Sequence, residues 1–188
     1  MKSQNYNFAP FEWGNGEHIL EIFLEPTCPY SAKAFNKIDA LLAESGENQF
    51  KVIVRFHSQP WHLFSGIVIR AILAASTMED GRNKAISVMK AVFSHREDFE
   101  FVDHCRGPNM ASTPYEIIER IFTLSGCNVL DAFQNKELQN QIKWHSKYSR
   151  QNGIHVSPTF MIDGVIAPKL SSGDDVKKWI LEIENSIK

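Results

Sequence analysis

The chain has 188 residues, of which 43% are hydrophobic and 22% charged, the balance of a soluble globular protein with one substantial core. A net charge of −2 gives no electrostatic reason to expect nucleic acid or an anionic membrane surface as a partner. No apolar stretch is long enough to span a membrane, and the polar, aromatic segment 1–16 does not resemble a signal peptide. We therefore expect a cytoplasmic protein, or a periplasmic or secreted one if a signal has been removed.

The first half of the chain has the pattern strand, helix, strand. Alternation within residues 1–11 favours a short edge strand, and the apolar run 18–24 predicts a second. A helical pattern follows and closes at Ser45-Gly46-Glu47-Asn48. The β-branched and aromatic run 50–57 is the next clear strand. A strand, a helix and a strand in this order predict a parallel pair with a right-handed crossover.

The second half is helical before it returns to strands. Residues 63–75 are apolar on nearly all sides, which predicts a buried helix, and residues 97–110 have the Gly and Pro punctuation of a loop. Thr113-Pro114-Tyr115-Glu116 is a capping box that opens another helix. The remaining predicted elements are helices at 82–95 and from Asn128 to about 152, a strand at 158–162, an Asp163-Gly164 hairpin turn, a strand at 165–167 and a last helix that begins after 172–175.

Cys28 lies where the strand 18–24 passes into the first helix, in the sequence Glu25-Pro26-Thr27-Cys28-Pro29-Tyr30-Ser31. Proline at the first helical position suits this junction because a missing N–H costs nothing there. Unpaired N–H groups and the helix dipole favour an anion at the first turn, so the Cys28 thiol is expected to have a lowered pKa. Ser31 lies one turn further on, where its hydroxyl can donate a hydrogen bond to the sulfur.

This Cys-Pro-Tyr-Ser sequence resembles the Cys-x-x-Cys motif of the thioredoxin superfamily, with Ser31 at the position of the second cysteine. Val156-Ser157-Pro158-Thr159-Phe160 resembles the segment that carries the cis-proline of that superfamily. The long helical stretch between the two motifs resembles the DsbA-like branch. The resemblance implies an α/β thioredoxin-like fold in the order β-α-β, helical insertion, β-β-α. We expect a single domain formed by 1–62 and 153–188, with the insertion at 63–152.

The same resemblance assigns the site. Cys28 and Ser31 are the expected catalytic residues, and Pro29, Tyr30, Ser157 and Pro158 are expected to contact substrate. The partners implied are protein or small-molecule thiols and disulfides, with oligomeric state undetermined. The long insertion argues against the monothiol glutaredoxins that share an iron–sulfur cluster, so we expect no bound cofactor.

Ser31 cannot release the mixed disulfide that Cys28 forms, which leaves three routes open. An external thiol, with glutathione as the candidate co-substrate, can release it. Cys105 or Cys127 can act as a distant resolving thiol, although both are expected to be unpaired. The second thiol of the substrate itself can also attack, which gives isomerisation.

Other side chains and other functions remain open. His57 and His62 follow the strand 50–57 at the end where α/β sheets gather ligands, so either is a candidate to stabilise the thiolate, and Trp61 is a candidate for a substrate groove. The sequence has no Cys-x-x-Cys, His-x-x-x-His or HExxH pattern, so no metal site is expected. A glutathione transferase or isomerase of the kappa type is one alternative. A redox-inactive module that binds peptides along Ser157 and Pro158 is the other.

Overall fold

The computed structural model describes residues 11–187. Its five-stranded sheet has the order β1-β3-β2-β4-β5. The strands are β1 Glu12–Trp13, β2 His18–Leu24, β3 Phe50–Phe56, β4 Thr159–Ile162 and β5 Val165–Ile166. The helices are α1 Pro29–Phe35, α2 Ile38–Ser45, α3 Ser65–Ser76, α4 Gly81–Ser94, α5 Pro114–Ser125, α6 Leu130–Phe133, α7 Leu138–Gln151 and α8 Val176–Ser186. Short 3-10 turns occur at Arg96–Phe99 and Pro108–Ala111.

The centre of the sheet is β2, which pairs on one side with β3 and on the other with β4. The β2–β3 pair is parallel in the register His18 to Phe50 through Leu24 to Phe56, as predicted. The β2–β4 pair is antiparallel, with Leu20 opposite Ile162. The last five residues of β2 and of β3 are all buried, since helices cover both faces of this parallel pair. The predicted α/β, thioredoxin-like fold is therefore confirmed.

A buried ion pair lies within this apolar centre. Arg55 Nε of β3 donates to Glu21 Oε1 of β2 at 2.6 Å, and both side chains are less than one-tenth exposed. Tyr148 of α7 donates its hydroxyl to Glu21 Oε2 at 2.9 Å, and the Arg55 guanidinium lies over the Trp144 ring at 5.1 Å. Polar contacts therefore tie the helix that precedes β4 to the two central strands.

Two predicted helices are each split into a pair. The first helix breaks between α1 and α2 at Asn36 and Lys37, where the Lys37 ammonium donates to the carbonyls of Ser172 and Asp174 in the loop before α8. The helix expected from Asn128 breaks between α6 and α7. There Arg70 of α3 donates to the carbonyl of Phe133 at 2.8 Å. In both cases a long-range cation–carbonyl contact stabilises the break.

Capping and turn residues in the sequence predicted several helix and strand boundaries correctly. The Thr113 and Glu116 side chains form the predicted capping box of α5, which ends at Gly126 with a φ of +71°. Asp163 and Gly164, both at positive φ, connect β4 to β5. The edge strand expected within residues 1–11 lies largely outside the described residues, and the structure has an edge strand at β1 instead. Within residues 11–187, every helix is too short or too polar to cross a lipid bilayer.

Candidate functional site

Cys28 is the N-cap of α1, with an extended backbone at φ −77° and ψ 130°. Its N–H donates to the carbonyl of Glu25 at 3.1 Å, which closes the turn between β2 and α1. Pro29 follows at the first helical position, as the sequence predicts. The Cys28 residue is 5% exposed, and its sulfur reaches the wall of an open cavity.

Ser157 and Pro158 lie directly opposite Cys28, although 129 positions separate the sulfur from Ser157. The sulfur is 3.7 Å from the Ser157 carbonyl oxygen, and the Ser157–Pro158 peptide bond is cis. The two segments lie close together because β4 pairs antiparallel with β2. This pairing places the segment before β4 at the end of the sheet where β2 leads into Cys28.

The neighbours of Cys28 in its own motif differ in exposure. Tyr30 is 59% exposed and points into the cavity mouth, with Lys33 Nζ 5.6 Å from its ring centre. Ser31 is fully buried, and its hydroxyl oxygen accepts the Glu25 N–H at 3.1 Å. The Ser31 hydroxyl also interacts with the Cys28 sulfur. One hydroxyl can fill both roles because it has one donor and two acceptor positions.

His62 is the side chain that completes the surroundings of the sulfur. It lies on the loop after β3, is buried, and lines the cavity together with Cys28, whose thiol it influences. Its Nδ1 is 3.0 Å from Thr27 Oγ1, 3.1 Å from Glu100 Oε1 and 3.6 Å from Glu25 Oε2. Of the two candidate histidines, His62 is therefore the one at the site.

Hydrogen bonds around the sulfur favour its ionised form. Burial alone raises the pKa of the Cys28 thiol, but hydrogen bonds from His62 and from the N–H groups of Ser31 and Tyr30 outweigh burial and lower the pKa. Burial likewise lowers the pKa of His62, yet its contacts with Cys28 and Glu100 and the charge of the nearby carboxylates raise the pKa to about 10. Both shifts favour the ionised pair, a thiolate at Cys28 and an imidazolium at His62, over the neutral one.

Glu25 lies beneath this pair and is fully buried. Its Oε2 accepts hydrogen bonds from the Thr27 N–H at 2.7 Å and the Thr27 hydroxyl at 2.9 Å, which fixes the turn that leads to Cys28. Burial raises the pKa of Glu25, while the nearby Ser65 hydroxyl, the charge of His62 and the hydrogen bonds from Thr27 oppose that change. A carboxyl group is thus coupled to the sulfur through one imidazole.

The cavity beside Cys28 has a volume of about 610 Å³. Of the three cysteines, all within the described residues, only Cys28 lines it. Cys105 is exposed, whereas Cys127 is buried with its sulfur 3.9 Å from Met78 Sδ. The lining residues are Cys28, Pro29, Tyr30, Trp61, His62, Arg96, Glu97, Glu100, Phe101, Val102, Asp103, His104, Val156 and Ser157.

The sequence analysis named most of the residues at this site but assigned no role to four of them, Glu25, Thr27, Glu100 and His104. Trp61 lines the cavity as anticipated, whereas His57 does not. Glu25 and Thr27 are close to Cys28 in the sequence. No sequence pattern indicates that they hydrogen-bond to each other and contact His62. Glu100 and His104 lie in the segment predicted only as a loop. The Glu-x-x-x-His spacing of these two was the one available signal.

Comparison with known proteins identifies the family of the chain. The thioredoxin family model matches residues 15–182. A Pseudomonas syringae protein, described provisionally as a protein-disulfide isomerase in its crystal structure, is 56% identical. That match covers 93% of this chain and 97% of that one, with a TM-score of 0.91. No protein of curated function matches the chain significantly.

Two more distant structures share the fold alone. Chlamydia trachomatis DsbA is 11% identical over 95% of this chain and 91% of its own, with a TM-score of 0.65. The Wolbachia pipientis thiol-disulfide exchange protein alpha-DsbA2 is 16% identical over 96% and 88%, with a TM-score of 0.67. This chain therefore belongs to the thioredoxin family and has the architecture of its DsbA-like members.

Proposed function

We propose that this protein is a thiol–disulfide oxidoreductase or isomerase that works through Cys28 as its single nucleophile. The observation that carries the proposal is the position of the Cys28 sulfur, 3.7 Å from the Ser157 carbonyl in a cavity that neither Cys105 nor Cys127 lines. The 56% identity to a protein provisionally described as a disulfide isomerase supports the same class of reaction.

The first step is attack of the Cys28 thiolate on one sulfur of a substrate disulfide. The new Cys28–substrate bond forms as the substrate S–S bond breaks, and the electron pair leaves on the second substrate sulfur. His62 lines the same cavity as Cys28, and its raised pKa makes it the carrier of the proton that this leaving thiolate needs. The products of the step are a mixed disulfide, a free substrate thiol and a neutral imidazole.

The second step must release Cys28, and Ser31 has no sulfur for this purpose. An external thiol, for which glutathione is the candidate, loses its proton to His62 and attacks the substrate sulfur of the mixed disulfide. Cys28 leaves as a thiolate and the imidazolium is restored. If the second thiol of the substrate attacks instead, the substrate leaves with a rearranged disulfide. Either route conserves the number of disulfide bonds.

The cavity mouth suits an extended peptide. Tyr30, Trp61 and Val156 expose about half or more of their surface around the sulfur, which gives apolar contact area. In the families that this chain resembles, the residue before the cis-proline, here Ser157, offers its backbone polar groups to substrate. A cytoplasmic location, where glutathione is the abundant thiol, is part of this proposal.

The test compares Cys28→Ser with the matched control Cys105→Ser. We expect Cys28→Ser to abolish both refolding of a scrambled disulfide protein and formation of a glutathione adduct from oxidised glutathione. Cys105→Ser should retain both. A glutathione transferase would instead conjugate electrophiles at an undiminished rate in Cys28→Ser. A wild-type protein with neither adduct nor activity would support a binding module and refute the proposal.

A further inference from the structure

A second feature of the cavity beside Cys28 is a group of potential metal ligands. His62, Glu100 and His104 each present one ligand atom, and the three atoms lie within 4.8 Å of one another. Tetrahedral bonds of about 2.0–2.2 Å from nitrogen and oxygen to Zn²⁺ place such atoms about 3.3–3.6 Å apart, so a side-chain movement of about an ångström closes the site. The His62 and His104 ring centres are 5.3 Å apart.

Glu100 gives the second, independent observation. Its side chain is 10% exposed, and its Oε2 accepts a hydrogen bond from Arg96 at 2.9 Å. Its Oε1 is buried and accepts no hydrogen bond of adequate geometry, although His62 Nδ1 lies 3.1 Å away. A buried carboxylate oxygen without a hydrogen bond requires a positive charge nearby. Either a proton on His62 or a metal ion meets that requirement.

We propose that His62, Glu100 and His104 form a binding site for one Zn²⁺ ion, with its open fourth position facing the Cys28 sulfur. Two imidazoles and one carboxylate are a donor set that Zn²⁺ uses in proteins, and it is a poor set for Mg²⁺ or Ca²⁺. Two existing contacts orient these ligands: His62 Nδ1 lies 3.0 Å from the Thr27 hydroxyl oxygen, which can accept its N–H, and Arg96 donates to Glu100. Contacts of this kind hold metal ligands in place. The ligands come from two stretches of chain, His62 from the loop after β3 and the Glu100/His104 pair from a later loop, which explains the lack of a contiguous metal motif.

Zinc at this position changes the environment of Cys28. The metal binds the His62 imidazole in place of the proton that this imidazole otherwise holds near the sulfur. It also lies next to the Cys28 thiolate, so it competes with disulfide substrates for the sulfur. We therefore expect bound Zn²⁺ to slow every reaction of Cys28, and a chelator to restore it. The loss of disulfide exchange rests on the proposed function, whereas metal binding and slower alkylation do not.

The experiment titrates chelator-treated full-length protein with Zn²⁺ against a chromophoric competitor. The variants are Glu100→Gln and His104→Ala, with His18→Ala as the matched control, because His18 pairs with Asp163 away from the cavity. We expect one bound equivalent in the wild type and in His18→Ala. We expect affinity to fall at least tenfold in each of the other two variants. No binding by the wild type, or wild-type affinity in His104→Ala, overturns the site.

A second readout separates this inference from the proposed function. The rate of iodoacetamide alkylation at Cys28, followed by mass spectrometry, needs no disulfide substrate. One equivalent of Zn²⁺ should slow that rate at least fivefold in the wild type and leave it unchanged in His104→Ala. An unchanged wild-type rate under saturating Zn²⁺ would contradict a metal beside the sulfur, whatever the protein does to disulfides.

Discussion

His145 of α7 should make the protein lose stability in mild acid. The residue is 4% exposed, and its Nδ1 accepts the Phe56 N–H at 3.2 Å, so protonation at Nδ1 would break that bond. Burial, with a contribution from the charge of Arg55, lowers the pKa of His145 to about 3 in the folded protein. In the unfolded chain the pKa is near 6.5.

The sign follows from proton linkage. Because the folded pKa lies below the unfolded one, the unfolded chain binds the additional proton as the pH falls below about 6.5, and this favours unfolding. Integration from pH 7 to pH 5 gives a loss of about 2 kcal/mol from this one group. The stabilisation is complete above pH 7 and would continue to decline toward pH 3.

Urea unfolding at pH 7 and pH 5 measures the effect. The variant His145→Gln does not titrate, and its amide oxygen can accept the Phe56 N–H. We expect the difference in unfolding free energy between the two pH values to shrink by about 2 kcal/mol in this variant. His95→Gln, at an exposed position, is the control and should keep the wild-type difference. An equal difference in all three proteins would refute the reasoning.

Three further substitutions test contacts and backbone conformations that hold the fold. Arg55→Met leaves the buried Glu21 carboxylate without its ion-pair partner and should cost about 3–5 kcal/mol in urea unfolding, with recovery in the double variant that adds Glu21→Gln. Thr113→Ala removes the capping box of α5 and should cost about 1 kcal/mol, while the exposed Thr123→Ala should cost less. Gly126→Ala has steric room but a φ of +71°, so thermal denaturation should report about 1–2 kcal/mol of backbone strain. A cost near zero would contradict the ion pair, the capping box or the backbone strain that the substitution concerned is designed to test.

The sequence predicted the parts of the fold that local patterns govern. The strands β2 and β3, the capping box at Thr113 and the hairpin at Asp163 follow from alternation, capping chemistry and turn chemistry within a few residues. The helix breaks were not predictable in this way. Lys37 and Arg70 stabilise them through carbonyls 135 and 63 positions away, and no local pattern encodes such contacts.

The candidate site also combines residues that local motifs predict with residues whose roles depend on long-range contacts. Cys28 and Ser157 were recognised from motifs, and sheet pairing brings them together. The role of His62 depends on its approach to Thr27 and Glu100, neither of which a motif relates to it. Glu100 and His104 come from a segment without repeated pattern, so only the folded chain reveals that they share a cavity with the sulfur.

The most direct test of the central claim is the pH dependence of iodoacetamide alkylation at Cys28 in chelator-treated protein. The surroundings of the sulfur lower the pKa of this thiol, so the midpoint of the rate profile should fall below the value of about 8.5 for an ordinary cysteine. The midpoint should rise in His62→Phe, which lacks the imidazole. A wild-type midpoint at or above the ordinary value would contradict an activated single-cysteine centre.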